Sequence, residues 1–240
     1  GVIAQDLCQS YAYQCFDMEK GCWDEEIIRE LKVRRSLLPE LVKCHQVVGG
    51  VTAEAAARTG LLQGTPVVAG GLDAACGSLG AGVCRPGQTQ EQGGQAGGMS
   101  ICTREMIADK RLILSRHVVD GLFLLQGGSV GGSGAFKWLS EQLCEGERLR
   151  FPDPFAEMSR MAGEIKAGSE GVLFLPYMSG ERSPIWNPHA RGVFYGLDFS
   201  KTRAHLIRAC MEGVAYSLRH NCQAALEAGA KIERFFSMGG

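Results

Sequence analysis

The chain has 240 residues, with 25 Lys and Arg against 26 Asp and Glu for a formal net charge of −1, and 45% of its residues are hydrophobic. That charge balance offers no electrostatic case for nucleic acid, the hydrophobic share is too high for a disordered chain, and no apolar run reaches the roughly 18 residues of a membrane span. The outlying feature is 33 glycines, about twice the usual share. Ten fall between Gly70 and Gly98 and six between Gly121 and Gly134, without the period of a collagen-like rod. Glycine this dense within an ordinary globular composition points to backbone held close to a ligand.

Gly1 to Ser10 have neither a basic stretch nor a continuous apolar one, so no signal peptide is expected. No Met begins the chain, which leaves a processed protein or a piece of a longer one as the two readings. Ten cysteines occur without a C-x-x-C pair. Cys8, Cys15 and Cys22 are spaced by seven and are the one hint of a ligand set. The expected reading is free thiols used as small apolar residues in a reducing cytoplasm.

In chain order, Asp24, Glu25 and Glu26 before Ile27, Ile28 and Leu31 predict a helix with acids in its positive first turn. Ser36 to Val42, broken by Pro39, predicts a short helical piece, followed by a strand at Gln46 to Val48. Thr52 caps a helix from Ala53 to Arg58, which Gly60 ends. Thr65 to Ala69 is an apolar run of the buried-strand kind. It meets Gly70, Gly71, Leu72 and Asp73, and then a small-residue helix from Ala74 to Ala81. Arg85-Pro86-Gly87 reads as a boundary, after which strands are predicted at Thr89 to Gln92, Met99 to Thr103 and Leu122 to Gln126. Helices follow at Ser133 to Leu143 and Phe155 to Ile165, then a buried-type strand at Val172 to Leu175 and an irregular stretch from Pro176 to Gly192. The longest helix, Thr202 to Ala228, carries Leu206, Ala209, Cys210, Gly213, Val214 and Ser217 on one close-packing face. A strand from Ile232 to Met238 leads to Gly239 and Gly240.

Three features could carry chemistry. Asp73 follows a Gly-Gly turn and opens a helix, where amides and the helix dipole favour a carboxylate. Such a group can take a proton from an alcohol as the alcohol attacks an electrophile. A plain helix-capping aspartate fits the same local pattern, and on that pattern alone is the simpler reading. Gly93-Gly94-Gln95-Ala96-Gly97-Gly98, between two strands, can aim several N–H groups at an anion or can be a hairpin tip. Gly127 to Gly134 precedes a helix, which suits phosphate, although it is neither a Walker A loop nor a dinucleotide fingerprint and a Ser-capped helix fits as well. The polar loop of Glu181, Arg182, Ser183, Pro184, Asn187, Pro188 and Arg191 reads as salt-bridged and structural. Histidines 45, 117, 189, 205 and 220 show no metal spacing and are expected at the surface or core edge. No metal ligand set emerges. From the residues alone, the chain is a phosphate-handling α/β protein with one good base.

Three ordered blocks resemble the FGGY carbohydrate kinases, the family of xylulose, ribulose, glycerol and gluconate kinases. They are Gly64 to Ala75 with Leu79 to Val83 and Pro86-Gly87; Leu175 to Pro188 with Ala190, Arg191 and Gly192; and Gly192 to Leu197 with His205, Leu206 and Ala209 to Gly213. The match runs from about Trp23 to Gly240, with Cys210 slightly off pattern. The resemblance implies an α/β fold of ribonuclease-H-like lobes, of the actin and sugar-kinase type, with ATP and sugar meeting between them. Residues 1–85 would be the end of the first lobe, on the substrate side, and 86–240 most of the second, on the nucleotide side. It implies phosphorylation of a sugar hydroxyl by ATP with Mg²⁺, on a pentulose such as xylulose or a related polyol, in the cytoplasm. Asp73 would be the base, with Gly71 beside it at the substrate. Gly93, Gly94 and Gln95 would face the β- and γ-phosphates, Gly131, Gly132 and Ser133 would approach the nucleotide, and Gly239 and Gly240 would begin the glycine motif under the adenosine. No nucleic-acid or membrane partner is implied, and a homodimer is left open. Two departures stand out: Gly94 and Gln95 replace hydroxyl residues of the family's loop, and the family's Asp-x-Gly-Thr loop does not occur in the chain. The expectation is therefore an internal, by itself inactive portion of a kinase; the competing reading is a kinase-like binding protein that has lost catalysis.

Overall fold

The computed structural model describes residues 2–94 and 96–239. The first third is made of short elements: β1 (Ala4–Asp6), β2 (Phe16–Asp17), β3 (Cys22–Trp23), α1 (Glu25–Glu30), β4 (Glu40–Val42), β5 (Val47–Gly50), α2 (Ala53–Thr59), β6 (Pro66–Val68) and α3 (Asp73–Gly80). The remainder begins with four strands, β7 (Gln88–Gly93), β8 (Gly97–Thr103), β9 (Ile113–Arg116) and β10 (Phe123–Ser129). Then come α4 (Gly132–Leu143), α5 (Glu145–Arg150), α6 (Pro154–Gly163), β11 (Leu173–Leu175), β12 (Val193–Tyr195), α7 (Arg203–Glu227) and β13 (Arg234–Gly239). No helix among the described residues is long and apolar enough to cross a membrane.

A five-stranded mixed sheet in the order β13-β7-β8-β10-β9 organises the molecule, with β13 parallel to β7 and the other pairs antiparallel. Both faces are covered, so the inner strands β8 and β10 bury residues on both sides. Met99, Ile101 and Leu125 pack with Cys222, Ala224 and Ala225 of α7 on one side. Cys102 and Leu124 pack with Ala75 of α3, Val83 and Cys8 on the other. A second core, with Leu139, Met158, Phe174 and Ile207, joins α4, α6, β11 and α7. Gly213 lets α7 press onto β11: a Cβ there would lie 2.2 Å from the Phe174 carbonyl oxygen.

Local signals set several elements as expected. The Asp24 carboxylate accepts from the Glu26 and Ile27 amides at the start of α1, and Thr52 Oγ1 from the Ala55 amide at the start of α2, which left-handed Gly60 closes. Thr202 and His205 form a reciprocal cap for α7. Four expectations are corrected. Ser36 to Val42 is not helical: a single 3₁₀ turn at Arg35–Leu37 gives way to extended Leu38 before Pro39, and β4 then pairs in parallel with β1. Thr65 to Ala69 is a strand but not a buried one, because β6 pairs with β5 in a two-stranded ribbon that leaves Val67 and Val68 exposed. The Val172 to Leu175 strand buries Phe174 and leaves Leu173 and Leu175 exposed. His117 and His205 are buried rather than peripheral.

Candidate functional site

The turn after β6 reverses through left-handed Gly70 and enters α3 at Asp73. Asp73 is exposed, the first residue of the helix, and its Oδ1 accepts from the Ala74 amide at 2.7 Å. The helix is fixed from behind by Ser78 Oγ, which hydrogen-bonds buried Gln90 Oε1 of β7 at 3.0 Å. Asp73 opens onto a cleft of about 280 Å³ whose walls include Tyr11, Gln92, Gly97, Gly98, Gly127, Gly128 and Arg182. Burial, and after it the Asp73 carboxylate, push the Tyr11 phenol above its ordinary value, while the Arg182 guanidinium pulls it back. One carboxylate and one guanidinium thus face the same glycine-walled space.

Arg182 reaches the cleft because its neighbour is anchored. Glu181 is buried and accepts from Ser129 Oγ (2.7 Å), the Val130 amide (2.9 Å) and the Arg182 amide (2.7 Å). The end of β10 and the loop after β11 are thereby joined, and the Arg182 guanidinium is laid against Gly128, where a Cβ would be 3.0 Å from Nη2. The loop is therefore not salt-bridged as expected. Among the described residues, Glu181, Arg182 and Arg191 form no ion pair; Arg191 donates instead to the Pro188 and Ala190 carbonyls.

A second cleft of about 200 Å³ adjoins the first and shares Gln92, Gly97 and Gly98 with it. Gly93 and Ser133 line it, with Glu91, Ser129 and buried Asn221. Gly93 pairs with Gly97 across the β7–β8 hairpin and with Gly239 on β13. The hairpin tip docks onto the start of α4, where the Ser133 amide donates to the Gly94 carbonyl at 3.0 Å. Gly132 touches the same tip, its Cα 3.3 Å from where a Gly97 Cβ would be. Ser133 does not cap α4, whose N-cap position is Gly131, without a side-chain cap.

Of the residues singled out from sequence, Asp73, Gly93 and Ser133 line these two clefts, and Gly94, Gly132 and Gly239 adjoin the second. Gly131 is packed against the Pro176 carbonyl. Gly71 faces away from the cleft, toward Cys8 and Cys44. Gln95 and Gly240 lie outside the described residues. Cys8, Cys15 and Cys22 do not converge: Cys15 is buried with Trp23 and Ile28, and Cys22 is exposed. Sequence reading missed Tyr11, which no motif marks, and the cleft position of Arg182, which local charge did not reveal.

The mixed sheet with helices on both of its faces makes this an α/β protein, and it has the actin-like, ribonuclease-H-like fold of the sugar kinases on which it superposes. Xylulose kinase from Rhodospirillum rubrum superposes with a TM-score of 0.86 at 33% identity, over 100% of this chain and 47% of that one. The ligand-bound xylulose kinase from Lactobacillus acidophilus gives 0.88 at 23% identity, over 100% and 48%. In sequence, the chain is 30% identical to the Bacillus subtilis xylulose kinase over 242 residues, covering 100% of this chain and 47% of that protein. The models of the N-terminal and C-terminal domains of the FGGY family of carbohydrate kinases match residues 1–80 and 103–240. The chain belongs to the FGGY family of carbohydrate kinases. It spans about half the length of the curated relatives it matches.

Proposed function

We propose that this chain is the central portion of an ATP-dependent carbohydrate kinase, with residues 1–85 ending the first lobe and 86–240 forming most of the second. The acceptor is a hydroxyl of a pentulose such as xylulose, or of a related polyol. The observation that carries the reading is the placement of Asp73 and Arg182 on one cleft whose walls include Gly97, Gly98, Gly127 and Gly128. The Asp73 carboxylate accepts the hydroxyl proton as that oxygen attacks the terminal phosphorus of ATP, and the bond from phosphorus to the bridging oxygen breaks. Arg182 supplies positive charge beside the transferring group, where charge spread over its oxygens is stabilised by fixed cations. The second cleft, with Gly93 and Ser133, takes the nucleotide side, and the glycine wall between the two lets acceptor and phosphoryl group approach closely.

Mg²⁺ takes oxygen ligands, commonly one or two carboxylates plus substrate phosphates. Among the described residues, Asp73 is the one carboxylate on the larger cleft, and its assigned task is proton acceptance. Glu91 lines the adjoining cleft, so among the described residues it is the carboxylate that would help the substrate phosphates hold the ion, and no step is routed through it.

The test is Asp73→Asn in the full-length protein. Turnover with ATP and a pentulose falls by about 10²- to 10⁴-fold, while sugar binding, followed by calorimetry, is retained. Wild-type turnover in that variant refutes the assignment. Calorimetry of the full-length protein with ATP-Mg²⁺, with and without a panel of sugars, separates the kinase reading from the competing reading of a binding protein without catalysis, which rests on Gly94 and Gln95 standing where the family has hydroxyl residues.

A further inference from the structure

We propose that Cys8 and Cys44 form an oxidisable dithiol beneath the Asp73 turn, which a small peroxide closes to a disulfide. The parallel register of β1 and β4 creates the pair. Asp6 stands opposite Val42 at the ends of the two strands, so the residues two further along each chain, Cys8 and Cys44, emerge side by side. Their sulfurs are 3.6 Å apart, whereas a disulfide needs about 2.05 Å, so closure draws them together by roughly 1.5 Å.

The surroundings assign a role to each thiol. Cys8 is fully buried and Cys44 only partly, so an oxidant meets Cys44 first. The Cys8 thiol, by hydrogen-bonding to Cys44, holds the Cys44 thiol below its ordinary value. The same contact, with burial and Asp6, pushes the Cys8 thiol up. The thiolate is the nucleophile, which makes Cys44 the attacking sulfur and Cys8 the resolving one. Asp6 Oδ1 lies 2.7 Å from Cys8 Sγ and is placed to take its proton.

In the first step the Cys44 thiolate attacks one peroxide oxygen, the O–O bond breaks, and hydroxide leaves to become water with a proton from solvent. Cys44 is then a sulfenic acid. In the second, the Cys8 proton passes to Asp6 and Cys8 Sγ attacks Cys44 Sγ. The S–S bond forms, the S–O bond breaks, and the departing hydroxide takes the proton from Asp6 as water. Two thiols are oxidised and one hydrogen peroxide is reduced to two waters.

The pair is coupled to the turn above it. The Leu72 amide donates to Cys8 Sγ at 3.0 Å, and Gly71 rests on both sulfurs, with a Cβ there only 2.9 Å from Cys8 Sγ and 3.3 Å from Cys44 Sγ. Closure therefore alters the segment that delivers Asp73. The same sulfurs and Asp6 could also be read as metal donors, since their ligand atoms all lie within 4.8 Å of one another. Against that, the group offers three donors among the described residues, one short of the four that a closed zinc site takes.

The experiment uses the full-length protein with its thiols reduced. It is exposed to hydrogen peroxide, blocked with N-ethylmaleimide, denatured, digested and analysed by mass spectrometry. The expected result is a peptide pair cross-linked through Cys8 and Cys44 that dithiothreitol separates, together with changed hydrogen exchange at the Leu72 amide. In Cys8→Ser the cross-link is lost and dimedone labels Cys44; in Cys44→Ser, Cys8 stays reduced. Recovery of both residues as maleimide adducts after peroxide overturns the proposal, as does a cross-link from either one to another cysteine. Protection of both thiols by one equivalent of Zn²⁺ that co-purifies with the protein also overturns it, in favour of a metal site. None of these readouts depends on phosphoryl transfer, so their failure leaves the kinase reading untouched, and the reverse holds as well.

Discussion

Glu181 offers the sharpest test of how the cleft is held open. Its side chain is 4% exposed and its two oxygens divide the work: Oε1 accepts the Val130 and Arg182 amides, and Oε2 accepts Ser129 Oγ. In Glu181→Ala, Ser129 and the Val130 amide lose their partner in a buried setting. Hydrogen bonds to a carboxylate contribute about 1.5–3 kcal/mol each. The Arg182 amide, on an exposed residue, can turn to water and is counted lightly. The expected loss is about 3–6 kcal/mol, on the order of 10 °C in melting temperature for a protein of this size. Glu181→Gln keeps an acceptor at Oε1, and its amide can donate to a rotated Ser129 hydroxyl, so the loss falls to about 1 kcal/mol. Urea unfolding followed by circular dichroism measures both. An alanine variant within about 1 kcal/mol of wild type, or a glutamine variant as damaged as the alanine one, refutes the argument that these three contacts anchor the loop.

Two further outcomes follow from packing and from titration. Gly131→Ala places a Cβ 1.8 Å from the Pro176 carbonyl oxygen, a backbone collision that costs about 1–3 kcal/mol or more, whereas Gly146→Ala, in α5 with nothing within 4 Å, stabilises by about 0.5–1 kcal/mol; urea midpoints of the two variants should move in opposite directions. His117 is buried, its Nδ1 accepts the Val119 amide at 3.0 Å and its Nε2 donates to the Val83 carbonyl at 2.9 Å, so protonation would set one N–H against another. Burial, opposed only by the Val83 contact, lowers its value below the ordinary 6.5. The unfolded chain then takes up the proton first, and stability present above pH 6.5 is lost as the pH falls toward the lowered folded value. His117→Gln should flatten that part of the stability–pH profile, and an unchanged slope below pH 6.5 refutes the reasoning.

What the sequence disclosed depended on whether the signal was local. The acidic start of α1, the cap at Thr52, the stop at Gly60 and the packing face of α7 each lie within a few residues of the element they define and were legible, although Asp24 proves to be the cap of α1 and not a residue of its first turn. The β1–β4 pair was not, because two three-residue strands separated by residues 7–39 carry no alternation to read, and Pro39 invited a broken-helix reading instead. The exposure of β6 escaped for a related reason: an apolar run reports that a strand can be buried, not what covers it. Asp73 was legible as a turn residue that opens a helix. Arg182 was legible only as charge, since its entry into the cleft depends on Glu181 meeting Ser129 and Val130, more than 50 residues earlier.

The glycines show where such reading divides. Dense glycine implied backbone near a ligand, and Gly93, Gly98 and Gly128 do line the clefts. At other positions the missing side chain admits protein rather than ligand. A Cβ on Gly131 would meet Pro176, one on Gly239 would lie 2.5 Å from the Gly93 carbonyl oxygen, and one on Gly127, although it walls the first cleft, would fall 2.3 Å from Asn221 Oδ1. These contacts bring β10, α4, β13 and the hairpin tip close enough to place two clefts on either side of Gly97 and Gly98. Transfer between two bound molecules requires their reacting atoms to sit about 3–3.5 Å apart, which side chains along that shared wall would oppose. The glycines that touch only protein therefore act together with those that line the clefts, by setting how closely the two clefts approach each other.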